Sequence, residues 1–402
     1  MYLTDRPYPA RFHREYAPTW LASVLASLGR RPPALSGTRF LEIGCGTGLT
    51  LLQLAAANPA MQFHGIDLNP AHIRAAQATA AEARIGNARF TCGDIANLPP
   101  ERADFIVSHG MYSWVSTEVR AMMRRFVGAS LAPGGIACIH YMTAPGGLPF
   151  RAFHAAFRAC RQAPDPVGAG LSRLVALRDA GAGFFQLHPH ASDALDGLLA
   201  DDPDYIAHDY LNAHFDPLDV AEVMADMAEE GLGRVGSAAG IENIDAVSLP
   251  AGCAAAITSE RDPALREAMK DIARNQSLRY DLFMRPAPAL GAAEHMDLLR
   301  EQRFGVLAAA PKPGRVAFST RIGPVEGEAA IFGPLLSRLH AGAAAFAELE
   351  RLQPFAGRPG LLNQALQMLQ WAGAVHPLRS GAASVRVAGL PLPVSVAFGT
   401  AV

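Results

Sequence analysis

The chain predicts an α/β fold: a doubly wound parallel sheet, then a mainly helical middle segment and a small C-terminal α+β unit. Three observations carry that expectation. From Phe40 to Tyr141, short apolar strand-like runs alternate with helical runs across short turns, the pattern of parallel strands joined by crossover helices. The first strand runs straight into Gly44-Cys45-Gly46-Thr47-Gly48, a turn whose missing Cβ atoms let the backbone curl tightly and approach a ligand. Beyond about residue 150 the alternation stops and helical runs take over.

Along the chain, Trp20, Leu21, Val24, Leu25 and Leu28 recur at helical spacing over Pro18–Leu28, and Pro32-Pro33 ends that helix. Strands are expected at Phe40–Ile43, Phe63–Ile66, Ala88–Thr91, Phe105–Ser108 and Gly135–Tyr141, with helices at Leu49–Ala57, Pro70–Ala83 and Thr117–Leu131. In the middle segment Phe150–Arg161, Gly170–Ala180, Leu265–Ala273 and the amphipathic Pro217–Glu230 read as helices. Arg234–Ala238 reads as a short strand, and Ser277–Arg285 as an extension of the preceding helix. Pro286-Ala287-Pro288 marks a boundary. Strand-like Arg315–Ile322, helices at Ile331–Leu339, Ala343–Leu349 and Gly360–Ala372, and a return strand at Val375 are compatible with a winged-helix-like unit. At 402 residues the chain exceeds one ordinary core, and three domains are expected: 1–150, 151–287 and 288–402.

Half the residues are apolar, 18% are charged and the net charge is −2, so no basic field points to nucleic acid or an anionic membrane. The five cysteines are scattered and form no CxxC, which argues against zinc or a disulfide framework and fits a reducing, cytoplasmic setting. His188, His190, His208 and His214 match no zinc spacing, so no metal is expected. The first residues hold no apolar h-region, and no run of about 18 apolar residues occurs, so neither a signal peptide nor membrane insertion is expected.

The glycine spacing is GxGxG with Glu42 two positions before Gly44; in the dinucleotide fingerprint the third glycine falls one position later. Strand two ends at Asp67, twenty-one residues after Gly46, where a carboxylate can accept hydrogen bonds from a ribose diol. Its alternative role is to cap the helix after Pro70, which Asn69 can also do. Strand three ends at Asp94, in a turn. These features resemble class I S-adenosylmethionine (SAM) methyltransferases, which implies a Rossmann-like sheet with SAM as cofactor. The candidate cofactor residues are Glu42, Gly44, Cys45, Gly46, Asp67, Leu68, Asp94, Ile95 and His109. In that fold Asp94 would meet the adenine amine, and Glu42 the ammonium of the methionine moiety.

Strand four ends in His109-Gly110-Met111-Tyr112-Ser113-Trp114-Val115. That string resembles the HGxYSWV signature of bacterial SAM-dependent enzymes that carry a methyltransferase regulatory domain, among them the rickettsial protein lysine methyltransferases. Tyr8-Pro9-x-x-Phe12, Tyr205-Ile206-Ala207-His208-Asp209-Tyr210-Leu211-Asn212 and Arg279–Arg285 are similar to further motifs of that group, with Asp209 where the group has Glu. The resemblance implies methyl transfer to a lysine amine of a protein or peptide. Tyr8, His109, Tyr112, Trp114 and Tyr141 are the expected lining of the acceptor slot, with His109 as the general-base candidate by residue type. The rival readings are a small-molecule methyltransferase and a non-catalytic SAM-sensing regulator. The expected partner is a protein, peptide or small-molecule acceptor, with a homodimer as the candidate assembly.

Overall fold

The computed structural model describes residues 11–379, 384–385, 387 and 389–402. After helix Pro18–Ser27 (α1), the chain forms β1 (Arg39–Ile43), α2 (Leu49–Ala57), β2 (Gln62–Asp67), α3 (Pro70–Glu82), β3 (Ala88–Cys92), β4 (Ala103–Ser108), α4 (Thr117–Ser130) and β5 (Leu131–Met142). Five helices follow: α5 (Ala144–Ala159), α6 (Pro166–Asp179), α7 (Gly183–Leu187), α8 (Pro189–Leu199) and α9 (Pro203–Tyr210). Then come α10 (Val220–Glu229), β6 (Gly233–Ser237) and β7 (Leu278–Met284), with a helix at Pro263–Arg274 between those two strands.

One seven-stranded sheet, ordered β3-β2-β1-β4-β5-β7-β6, organises the described residues up to Met284. Its first five strands are parallel, and β7 runs antiparallel to both β5 and β6. The central strands read as continuous apolar runs because both faces are covered. Phe40, Phe63, Phe105 and Leu282 pack with Trp20 and Tyr16 on one face. Leu41, Ile43, Ile106 and Phe283 pack with Tyr112 and Tyr141 on the other. Helices α5 to α9 bury a separate core around Phe153, Phe157, Leu195 and Ile206.

Ser277–Arg285 reads as a helix in sequence and is instead the strand β7. Its alternation is present but disguised. Tyr280, Leu282 and Met284 pack on one face, while Arg279 and Asp281, at alternate positions, are buried charges. Arg279 meets Glu267, Asp271 and Asp281, and Arg234 meets Asp281 at 2.8 Å. Tyr141 donates its hydroxyl to Asp281 at 2.6 Å, and Thr143 donates to Asp271 at 2.9 Å. The segment 151–287 therefore supplies two strands to the main sheet as well as helices.

The C-terminal unit is α+β. Helices Ala292–Glu301, Ala329–His340 and Pro359–Trp371 enclose a core with Phe304, Phe318, Phe332 and Leu366. A hairpin pairs Val316–Thr320 with Gly323–Gly327, and a second small sheet joins Arg303–Val306 to Ala344–Ala345 and Val375–Leu378. The unit is docked on α1 and α2: Ser23 donates to Gln370 at 3.1 Å, Thr19 to the Phe398 carbonyl at 2.7 Å and Arg379 to Asn58 at 2.6 Å.

Candidate active site

At the carboxyl end of β1 the glycine turn takes left-handed backbone, with φ of 75° at Gly44, 53° at Gly46 and 76° at Gly48. Space enforces glycine twice over. A Cβ at Gly44 would fall 2.5 Å from the Met111 side chain, and one at Gly48 would fall 2.8 Å from Phe90. Asp67, at the end of the neighbouring β2, accepts from the Gly46 N–H on Oδ2 and from the Asn69 N–H on Oδ1, both at 2.8 Å. Asn69 caps α3, accepting from the Ala71 N–H, which leaves Asp67 to the turn.

Next to this turn lies a cavity of about 280 Å³. All nine candidate cofactor residues line it: Glu42, Gly44, Cys45, Gly46, Asp67, Leu68, Asp94, Ile95 and His109. Glu42 is buried, and its Oε2 has no partner among the described residues. Burial, with Asp67 nearby, pushes its carboxyl up to about 8. Asp94 Oδ1 accepts from the Ala96 N–H at 3.0 Å, so this aspartate also orders its own turn.

Of the five expected acceptor-slot residues, His109 and Trp114 line the cavity. Tyr112 and Tyr141 do not. Both are buried in the core on one face of the sheet, 6.3 Å apart between ring centres, and Tyr141 is tied to Asp281. Alternation along β5 explains Tyr141, because His140 takes the opposite face. At Tyr112 the turn through Gly110 sends Met111 to the cavity wall and the tyrosine inward. Tyr8 lies outside the described residues.

His109 sits in a stack of three imidazoles, 3.6 Å from His13 and 4.0 Å from His140 between ring centres. Burial holds all three below the usual histidine range: His13 at about 4, His140 at about 3 and His109 well down. The rings are therefore neutral at neutral pH. Tyr16 Oη lies 2.9 Å from His109 Nδ1. Burial keeps this phenol protonated, and the direction of its hydrogen bond follows the tautomer of His109. The burial that lowers the His109 pKa also weakens the ring as a proton acceptor.

Sequence reasoning missed the rest of the wall. Arg11 and His13 come from the N-terminal segment, which Thr50 in the first turn of α2 pins: its hydroxyl donates to the Arg11 carbonyl at 3.1 Å and accepts from the His13 N–H at 3.2 Å. His208, Asp209 and Asn212 come from α9 and the residues just after it. Their string carries a family resemblance, but nothing in its spacing says that it folds back over the glycine turn.

A family model for a methyltransferase domain matches residues 40–135, and one described as a predicted methyltransferase regulatory domain matches residues 202–285. The chain is a SAM-dependent methyltransferase with a methyltransferase regulatory domain. It is 28% identical over 387 residues to an uncharacterized protein of Synechocystis sp., covering 94% of this chain and 76% of that protein. An uncharacterized protein of Rickettsia prowazekii is 37% identical over 142 residues, covering 35% of this chain and 57% of that one. The structure of PKMT2 from Rickettsia typhi in complex with AdoHcy superposes with a TM-score of 0.74 at 22% identity, covering 94% of this chain and 78% of the other. At that identity the superposition shows a shared fold.

Proposed function

We propose that this methyltransferase acts on a lysine amine of a protein or peptide. The observation that carries the reading is a groove of about 920 Å³ that meets the cofactor cavity at Val115. Trp114 stands between the two spaces, lining the cavity while its ring packs 5.5 Å from that of Phe215 in the groove. The groove carries Arg120, Arg151, Arg158 and Arg161 against Glu118 and Asp216. An extended acceptor with acidic residues beside its target lysine matches that charge. The name of the Rickettsia typhi neighbour and the sequence resemblance to lysine methyltransferases support the amine.

The cavity suits SAM on its own chemistry. The ammonium of the methionine moiety would supply the partner that Glu42 Oε2 lacks. Asp67 Oδ2 holds one hydrogen bond and has room to accept a ribose hydroxyl. A Cβ at Gly46 would meet nothing within 4 Å, so the backbone there is open to close approach. Leu68, exposed on the wall, and Ile95 offer an apolar ledge beside Asp94. When bound, SAM supplies a methyl group already activated as a sulfonium. The chain's own residues have to bind, orient and exclude water. A free lysine ammonium gives up its proton only near pH about 10.4. The buried, neutral histidine stack presents no countercharge, which favours the neutral amine over that ammonium.

The test is incubation with methyl-labelled SAM and a bacterial lysate, followed by acid hydrolysis of the protein fraction. Methylated lysine among the labelled amino acids is the expected result. Label confined to small molecules overturns the lysine reading and points to a small acceptor.

A further inference from the structure

One stretch of the cavity wall comes from the middle segment, and its polar groups share one character. Asn212, 7% exposed, donates its amide N–H to the Trp114 carbonyl at 2.8 Å. Its Oδ1 has no partner among the described residues, and only an N–H or O–H donor can satisfy it. One turn of chain earlier, Asp209 accepts from the Trp114 indole N–H on its backbone carbonyl at 3.3 Å, which places it on the same wall. Its carboxylate accepts a hydrogen bond from Tyr205 and makes no ion pair among the described residues. Trp114 is thus bracketed from both sides by the middle segment, and its indole is available as a π-face for a cation.

Acceptor oxygens and a π-face are the complement of a primary amine and repel a carboxylate substrate. Arg11 is the cation nearest to hand, but its guanidinium is engaged with Asp201 at 2.7 Å and lies 4.2 Å over the Tyr205 ring. Burial and Asp201 push the Asp209 carboxyl up to about 7, against the opposing pull of Tyr205 and Arg11. A carboxyl so placed gains or loses a proton near neutral pH.

We propose that Asp209 and Asn212 form the amine-recognition end of the acceptor site, so that the regulatory domain itself selects a primary amine for methylation. This inference rests on the lysine reading above. Asp209 binds the incoming ammonium and then takes one of its protons. An N–H bond breaks, an O–H bond forms on the carboxylate, and the nitrogen lone pair is left on the amine. The proton leaves Asp209 for solvent before the next turnover. The apolar surroundings lower the ammonium's pKa toward that of the carboxyl, which makes the transfer feasible.

The test uses the full chain saturated with S-adenosylhomocysteine and titrated with Nα-acetyl-lysine amide in a calorimeter, alongside steady-state kinetics on a lysine peptide methylated by the wild type. Asp209→Asn keeps the shape and removes the charge. It is expected to weaken amine binding and lower kcat/KM about thirtyfold, the scale of a lost charge-assisted hydrogen bond, while SAM affinity stays within about twofold. Asn212→Ala, which removes the unpartnered acceptor oxygen, is expected to weaken amine binding while SAM affinity stays within about twofold. Wild-type amine binding that Asp209→Asn leaves intact overturns the inference and spares the lysine reading. A wild type that ignores the amine but binds glutarate overturns both.

Discussion

Asp67 ties the glycine turn to the end of β2 through Gly46 and Asn69, and its Oδ1 also lies 3.3 Å from His72 Nδ1. Replacement by alanine removes the ribose acceptor and loosens the turn that frames the cofactor. Asp67→Ala is expected to raise the SAM dissociation constant at least about tenfold, the scale of one lost hydrogen-bond pair. Calorimetry returning the wild-type constant would detach this residue from the cofactor. The motif residues Glu42, Gly44, Gly46, Asp67 and Asp94 are legible in sequence because each sits at a strand end that periodicity locates. Tyr112 and Tyr141 are not, because which way a side chain turns at a strand end depends on the packing partner across the sheet.

At the scale of elements, β7 is the instructive case. Arg279 and Asp281 break the apolar alternation in sequence, yet they are among the most deeply buried residues of the sheet. Arg279 is held charged by Asp281, Tyr141, Asp271 and Glu267 around it, which outweigh its burial. Asp281, facing Arg234 and Arg279, is held down to about 2. Removing one partner leaves the others buried without compensation. Arg279→Ala is expected to cost about 3–5 kcal/mol in urea unfolding. A loss below about 1 kcal/mol would show that the network contributes little to joining β7, β5 and the helix Pro263–Arg274.

The whole molecule carries depressed histidines and raised carboxyls, and their opposite signs shape its stability against pH. His13, His140 and His376 are held near 4, 3 and 3, with His109 also lowered. Their unfolded forms take up protons below about pH 6.5 while the folded forms do not, so stability falls as pH drops through that range. Glu42 at about 8 and Asp209 at about 7 work the other way. Both are protonated in the folded protein well before the unfolded one, so stability is lost as pH rises through 7 and 8. A maximum near about pH 6.5 is expected when unfolding free energy is measured from about pH 5 to 9. A curve rising steadily across that span would contradict the assignment of neutral, buried forms.

Local order dictated the strand–helix alternation, the left-handed glycine turn and the acids at successive strand ends, because backbone sterics and short-range spacing decide those features. Tertiary structure alone brought Arg11, His13, Asp209 and Asn212 to the same cavity. Asp209 and Asn212 lie more than 140 residues beyond the glycine turn, and only the docking of the middle helices on the sheet brings them to the same cavity. The same docking buried the charges of β7, since a buried ion pair needs partners from several elements at once. The methyl donor's site is thus written in short motifs, whereas the acceptor's wall exists only in the assembled fold.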